Sequence, residues 1–381
     1  MSGTATVHGP PRWSRELLLL PGLATSLAIL MNATPGGSPD SGLGIVWTVW
    51  IVVSILLAAF RAMAHADHLA ELLGEPLGTV ILTVSAITIE VAAVCAVMLH
   101  SGADGNAVVV RDTMFAVLML ILNGLIGAAL VVGGLVRQEQ EFNLQSSAAY
   151  LPLIIALATV TLVLPRFTTS EEGGWMSDPM EVFVGGSSLA IYLAFLWLQT
   201  SRHRAFFAHS TASSPPPPDA PRHTTAPRSR SGLGRSIFML VVALVTVVYL
   251  AEGLGPRLTV GLEAASLPVA LGGLLIASLV LAPEGLAALK AAGSSDMQRT
   301  INVLLGSAVA TIGLTVPAVM VFRWITGIDP ELGLEPPFIV LLTVTLALCT
   351  VNLTRGRVNS LQGLVHLLIF FAWIAVIFDQ A

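Results

Sequence analysis

Two glutamates stand inside long apolar runs: Glu90 in GTVILTVSAITIEVAAV and Glu284 in LGGLLIASLVLAPEGLAAL. An acidic side chain at the centre of a membrane helix costs about 2.5–3.5 kcal/mol, so each needs a compensating role. Neither has a lysine or arginine one helical turn away, and Lys290, beyond Glu284, is the nearest base. Ionised together, they present two negative charges that one divalent cation or two protons would cancel. Protonated, each can instead serve as hydrogen-bonding glue to a neighbouring helix. Superimposing Glu90 on Glu284 also superimposes Gly78 on Gly272, twelve residues earlier in each run. That repeated placement favours a cation site at the bilayer midplane.

The neighbouring residues supply hard oxygen. Stepping back from Glu90 gives Ala86, Thr83 and Thr79 on one helix face. The same steps from Glu284 give Val280, Ala277 and Gly273, a small ridge that lets another helix approach. Pro283 removes a backbone donor and frees a carbonyl one turn earlier, which is either a kink or a means of aiming oxygen at a cation. On the next helix of each half, the amides Asn123 and Asn302 are ligand candidates, with interhelical hydrogen bonding equally open to them. Gly306 and Gly313 share a face with Asn302, while Ser307, Thr311 and Thr315 line an adjacent stripe. His65, Asp67, His68, Glu71 and Glu75 crowd the approach to the Glu90 helix and read as a cation vestibule or an interfacial segment. Glu171, Glu172, Asp178 and Glu181 form an acidic loop on the other side.

The elements that must position these groups follow from composition. The chain is 55% hydrophobic and 11% charged, where soluble chains carry about 25% charged residues. Its mean hydropathy is +0.83. This excludes a water-exposed globule, and a net charge of −5 with few basic residues argues against a nucleic-acid partner. Cys95 and Cys349 both lie in apolar runs, so no disulfide framework exists. Segments long enough to cross a bilayer fall at roughly 17–33, 43–62, 76–99, 113–136, 149–165, 180–200, 236–254, 266–289, 302–325, 337–353 and 361–378. With the N-terminus cytoplasmic and the C-terminus periplasmic, only Arg111, Arg166, Arg257 and Arg323 fall outside. Every cytoplasmic loop then obeys the positive-inside rule.

The expected fold is therefore an all-α polytopic membrane protein of eleven transmembrane helices. A tail and first helix (1–42) precede two five-helix repeats (43–200 and 235–381), joined by a disordered, Pro/Arg-rich cytoplasmic linker (201–234) that includes Pro215–Pro218. An odd helix count per repeat forces the two repeats into opposite orientations.

GEPLGTVILTVSAITIEVA (Gly74–Ala92) and LVLAPEGLAALKAAGSSDMQRTINVLLGSAVATIGLTVPAV (Leu279–Val319) resemble the two alpha-repeat regions of bacterial ChaA-type calcium/proton antiporters of the cation/calcium exchanger superfamily. The resemblance spans about residues 43–378. It implies exchange of calcium, or of sodium or potassium, for protons across the inner membrane. It also implies Glu90 and Glu284 as the exchanging carboxylates, with Asn123 and Ser307 as second-tier ligands; Thr83 and Asn302 join that tier from the helix-face reading alone. Two departures stand out: Thr88-Ile89 and Ala282-Pro283 replace the Gly-Asn that precedes the glutamate elsewhere in the superfamily, and the Pro/Arg linker replaces an acidic one. The partners expected are cations, protons and the bilayer, with no resident cofactor. A metal-dependent intramembrane enzyme built on His65, Asp67, His68 and Glu71 is the competing reading of another class, although no HExxH spacing is present.

Overall fold

A computed structural model describes residues 16–31, 41–74, 77–100, 106–168, 173–199, 232–268 and 270–379. The linker proposed at 201–234 lies outside them up to residue 231, as do Glu75, Glu171 and Glu172.

In a bilayer each backbone N–H and C=O must be bonded within its own segment, so apolar runs of this length become helices. Among the described residues there are eleven. They are α1 (Leu17–Leu30), α2 (Gly42–Leu73), α3 (Leu77–His100), α4 (106–136), α5 (Leu144–Phe167), α6 (Asp178–Trp197), α7 (Leu233–Ala264), α8 (Leu271–Gly293), α9 (Met297–Thr326), α10 (Pro336–Leu353) and α11 (Ser360–Asp379). Nine of these are long and apolar enough to span; α1 and the apolar stretch Val80–Cys95 of α3 are shorter. The chain is a multi-pass, all-α membrane protein of one helix plus two inverted five-helix repeats. Its only departure among the described residues is a two-residue antiparallel ribbon, β1 (Gln140–Glu141) with β2 (Arg357–Val358).

Two helices run well past their apolar windows. α2 and α7 each hold 32 residues, about 48 Å of helix, against a hydrocarbon core of about 30 Å. Hydropathy predicts an end to this segment near residue 62. No glycine or proline interrupts 61–73, however, so the helix continues until Gly74, whose left-handed φ of 68° closes it with an N–H bond to the Ala70 carbonyl at 2.9 Å. His65, Asp67, His68 and Glu71 therefore ride on α2 itself rather than on a connection.

Apolar packing divides into two cores. One joins α4, α5, α6, α9, α10 and α11 with one face of α3 and α8. The other joins α1, α2 and α7 with the opposite face of α3 and α8. The two glutamate helices thus form the wall between the cores.

Among the described residues, three helices carry a wider turn in their interior: α4 at Leu120–Leu125, α5 at Thr159–Val163 and α9 at Thr311–Thr315. In α9 the cause is local. Pro317 has no N–H to return to Gly313 and its ring crowds that carbonyl, so the helix widens just before it.

A candidate cation site between the repeats

Glu90 is 3% exposed on α3. Its carboxylate accepts from the Thr311 hydroxyl at 2.8 Å through Oε2 and from the Thr315 hydroxyl at 3.2 Å through Oε1. In a regular helix a threonine hydroxyl returns to the carbonyl four residues back, as Thr246 does to Val242 at 2.7 Å. Thr311 and Thr315, at the two ends of the wider turn of α9, instead donate across the repeat boundary. The two threonines stood in the sequence as a helical stripe, but only the packing of α9 on α3 assigns that stripe to Glu90.

Glu284 sits on α8 in a different setting. It is half-buried, follows the buried Pro283, and its carboxylate bonds its own backbone amide and no other residue among those described. It lies close enough to Glu90 for their charges to repel, and Asp67 of α2 also lies within electrostatic reach. Asp67 in turn faces Arg299 and Glu71. The next residue, Gly285, meets α4: a methyl placed there would stand 3.0 Å from Leu125, at the end of the wider turn. That turn reads LILNGL and offers no hydroxyl, whereas the α9 turn reads TIGLT. The two carboxylates are brought together but are not equivalent.

Of the remaining expected ligands, the two asparagines are held by other partners. Thr83 is half-buried on α3, near Tyr192 of α6. The Asn123 amide donates to Thr345 at 2.8 Å, and its oxygen pairs with His366 at 3.2 Å, in a buried polar group shared by α4, α10 and α11. The Asn302 oxygen accepts from Ser146 and, at 3.0 Å, from Gln298. Ser307 is half-buried one turn before Thr311.

The vestibule set divides. His65 is fully buried, with Nε2 3.1 Å from Glu16 and 3.2 Å from Arg61. His68 is buried, while Asp67 and Glu71 are exposed. Glu16, missed by sequence reasoning, is the hub: it also accepts from Arg61 and from Arg235, each at 3.0 Å, tying α1 to both α2 and α7. Burial opposes the charge of Glu16, but hydrogen bonds and charge from His65 and Arg61 outweigh it and hold the carboxyl below its ordinary 4.5. Among the described residues no three His, Cys, Asp or Glu side chains are grouped to hold a resident metal, so the geometry gives the enzyme reading no support. On the opposite side, Asp178 and Glu181, expected in an acidic loop, instead stand in the first turn of α6, and both pair with Arg323 of α9, at 2.9 and 2.6 Å.

Two carboxylates and two hydroxyls make an all-oxygen donor set, suited to a hard cation or to protons. The sodium/calcium exchanger protein family profile matches residues 43–201 and 235–378 of this chain. The sodium-potassium/proton antiporter ChaA of Escherichia coli is 33% identical over 92% of this chain and 94% of its own length. The y4hA protein of Sinorhizobium fredii is 42% identical over 82% of this chain and 83% of its own. The solved Ca2+/H+ antiporter protein YfkE superimposes with a TM-score of 0.70 at 16% identity, covering 96% of this chain and 99% of that one, which is a likeness of fold.

Proposed function

We propose, for a chain that belongs to the sodium/calcium exchanger protein family, proton-coupled cation antiport in which Glu90 and Glu284 bind either the cation or protons. The protein is a transporter rather than an enzyme, and cations and protons are its partners. The observation that carries the site assignment is the convergence of two glutamates, one from each repeat, within electrostatic reach at the wall between the two cores.

Coupling follows from charge. With both carboxylates ionised the empty site holds two negative charges, and moving it through a low-dielectric barrier costs far more than moving a neutralised one. One divalent cation or two protons restore neutrality, so a helix rearrangement that exposes the site alternately to each side carries one or the other. Calcium takes about 6–8 oxygens, which the two carboxylates, two hydroxyls, backbone carbonyls and retained water would share.

A second reading, sodium or potassium in place of calcium, is favoured by the lopsided ligand set: Glu90 has two hydroxyl partners and Glu284 none among the described residues. A relative named for sodium and potassium supports it as well. The inner membrane, with the N-terminus cytoplasmic, is the location the arginine distribution supports. The test is proton flux in reconstituted vesicles on adding calcium, sodium or potassium separately. Flux with at least one cation is expected, and its loss in Glu90→Gln and Glu284→Gln. Undiminished flux in both variants would reject the site.

A further inference from the structure

His366 of α11 is fully buried, together with Asn123 of α4 and Thr345 of α10. An ionisable side chain enclosed by membrane helices is costly and calls for a role. Its Nδ1 lies 3.2 Å from Asn123 Oδ1, and its Nε2 lies 3.3 Å from the Asn352 amide nitrogen of α10. The Asn123 nitrogen donates to Thr345 Oγ1 at 2.8 Å and to the Met119 sulfur at 3.6 Å, so the oxygen is the end turned to His366. A carbonyl oxygen only accepts and an amide nitrogen only donates. Nδ1 therefore carries the ring proton and Nε2 is bare. The ring is held neutral, in one tautomer, and carries no exchanged proton in this arrangement.

The same side chain grips α4. A methyl on Gly127, one turn after Asn123, would stand 3.1 Å from His366 Cβ, and one on Gly124 would stand 3.2 Å from the ring of Phe370, a turn further along α11. α11 thus holds the wider turn Leu120–Leu125 on one side, while Leu125, at the end of that turn, is what Gly285 meets beside Glu284.

The other repeat supplies a comparison within the same chain. Gly185 of α6 packs on Met320 of α9, as Gly363 of α11 packs on Gly127 of α4. Three residues after each glycine stand Ser188 and His366. Ser188 is fully buried and its hydroxyl has no partner among the described residues. The polar groups of the α9 turn, Thr311 and Thr315, face Glu90 instead. In the α4 turn the one polar side chain, Asn123, is committed to His366 and Thr345. Glu284 has no side-chain donor among the described residues, so packing alone orients it, and the firmness of α4 against Gly285 decides how well.

We propose that His366 is a positioning residue for the Glu284 half of the site: through Asn123 it fixes the α4 turn against α8, and so sets how tightly the site takes its cation. This rests on Glu284 being an exchanging carboxylate.

The experiment uses the full chain in proteoliposomes, with proton flux driven by calcium, sodium or potassium supplied singly. His366→Leu deletes two buried hydrogen bonds and should raise the half-saturating concentration of the driving cation about tenfold. His366→Gln, whose amide again offers one donor and one acceptor, should stay within about threefold of the parent and move the same number of protons per cation. Asn123→Leu with His366→Leu should be less damaging than the product of the two single effects, because both delete the same link. Should His366→Leu not fold, Thr345→Val, which removes only the bond beyond Asn123, is read in its place, with a rise of about threefold expected. Half-saturation at the parental level in whichever of these two is read, a glutamine variant no better than leucine, multiplying effects in the double variant, or fewer protons per cation in His366→Gln would each overturn the proposal. Glu284→Gln runs beside them: if it retains exchange, the site reading itself fails. If it abolishes exchange while His366→Leu and Thr345→Val match the parent, only the His366 assignment falls.

Discussion

The Thr311 hydroxyl, on the second repeat, donates to Glu90 Oε2 on the first at 2.8 Å, 221 residues away along the chain. A buried carboxylate without such donors is strongly disfavoured in its charged form, and a hydrogen bond to a charged group is worth about 1.5–3 kcal/mol. The same hydroxyl oxygen becomes a ligand when a cation neutralises the carboxylate. Thr311→Val keeps the shape and removes the oxygen, so the half-saturating cation concentration in a flux assay should rise about tenfold or more. Thr311→Ser, which restores the hydroxyl, should lie near the parent. Equal affinity in the valine variant would remove Thr311 from the site.

The α4–α11 contact makes a prediction about stability alone. Gly127 and Gly363 bring the two backbones together, and a methyl on Gly363 would fall 2.6 Å from the Gly127 carbonyl and 2.8 Å from the Val131 nitrogen. Backbone cannot move aside as a flexible side chain can. Gly363→Ala should therefore cost about 1–3 kcal/mol, seen as a lower unfolding temperature in detergent. An unchanged transition would mean that this contact is looser than described.

Glu16 predicts a pH dependence. Its carboxyl is held below the ordinary 4.5, so its contribution to the fold is present above the unfolded-state value and is lost as pH falls through the folded one. The attachment of α1 to α2 and α7 should weaken in acid. Unfolding temperature followed downward from neutral pH should drop more steeply in the parent than in Glu16→Gln, which has no charge to lose. Parallel curves would show that the Glu16 cluster contributes no such term.

How much of this was legible beforehand differs by level. Eleven helices and their inverted arrangement followed from hydropathy and the odd count per repeat, because a bilayer leaves the backbone almost no alternative. Helix ends were less legible. α2 overran residue 62 because a hydropathy window reports where the membrane stops, whereas Gly74 is where the helix does. At the site, Glu90 and Glu284 were conspicuous as acids in apolar runs, and repeat placement paired them. Their partners were not conspicuous, since threonine and asparagine are common in membrane helices and only packing decides which carboxylate or amide they meet. Asn123 faces Thr345 and His366, while Thr311 and Thr315 face Glu90.

The central claim is that the two glutamates take up cation in exchange for protons, and proton release on binding measures it most directly. Purified protein in weakly buffered detergent solution, with a pH indicator, is mixed with calcium, sodium or potassium in turn. The parent should release protons with its preferred cation, and Glu90→Gln and Glu284→Gln should each release markedly fewer. Release at the parental level from either variant would contradict the assignment of that glutamate, and from both would end the two-carboxylate account.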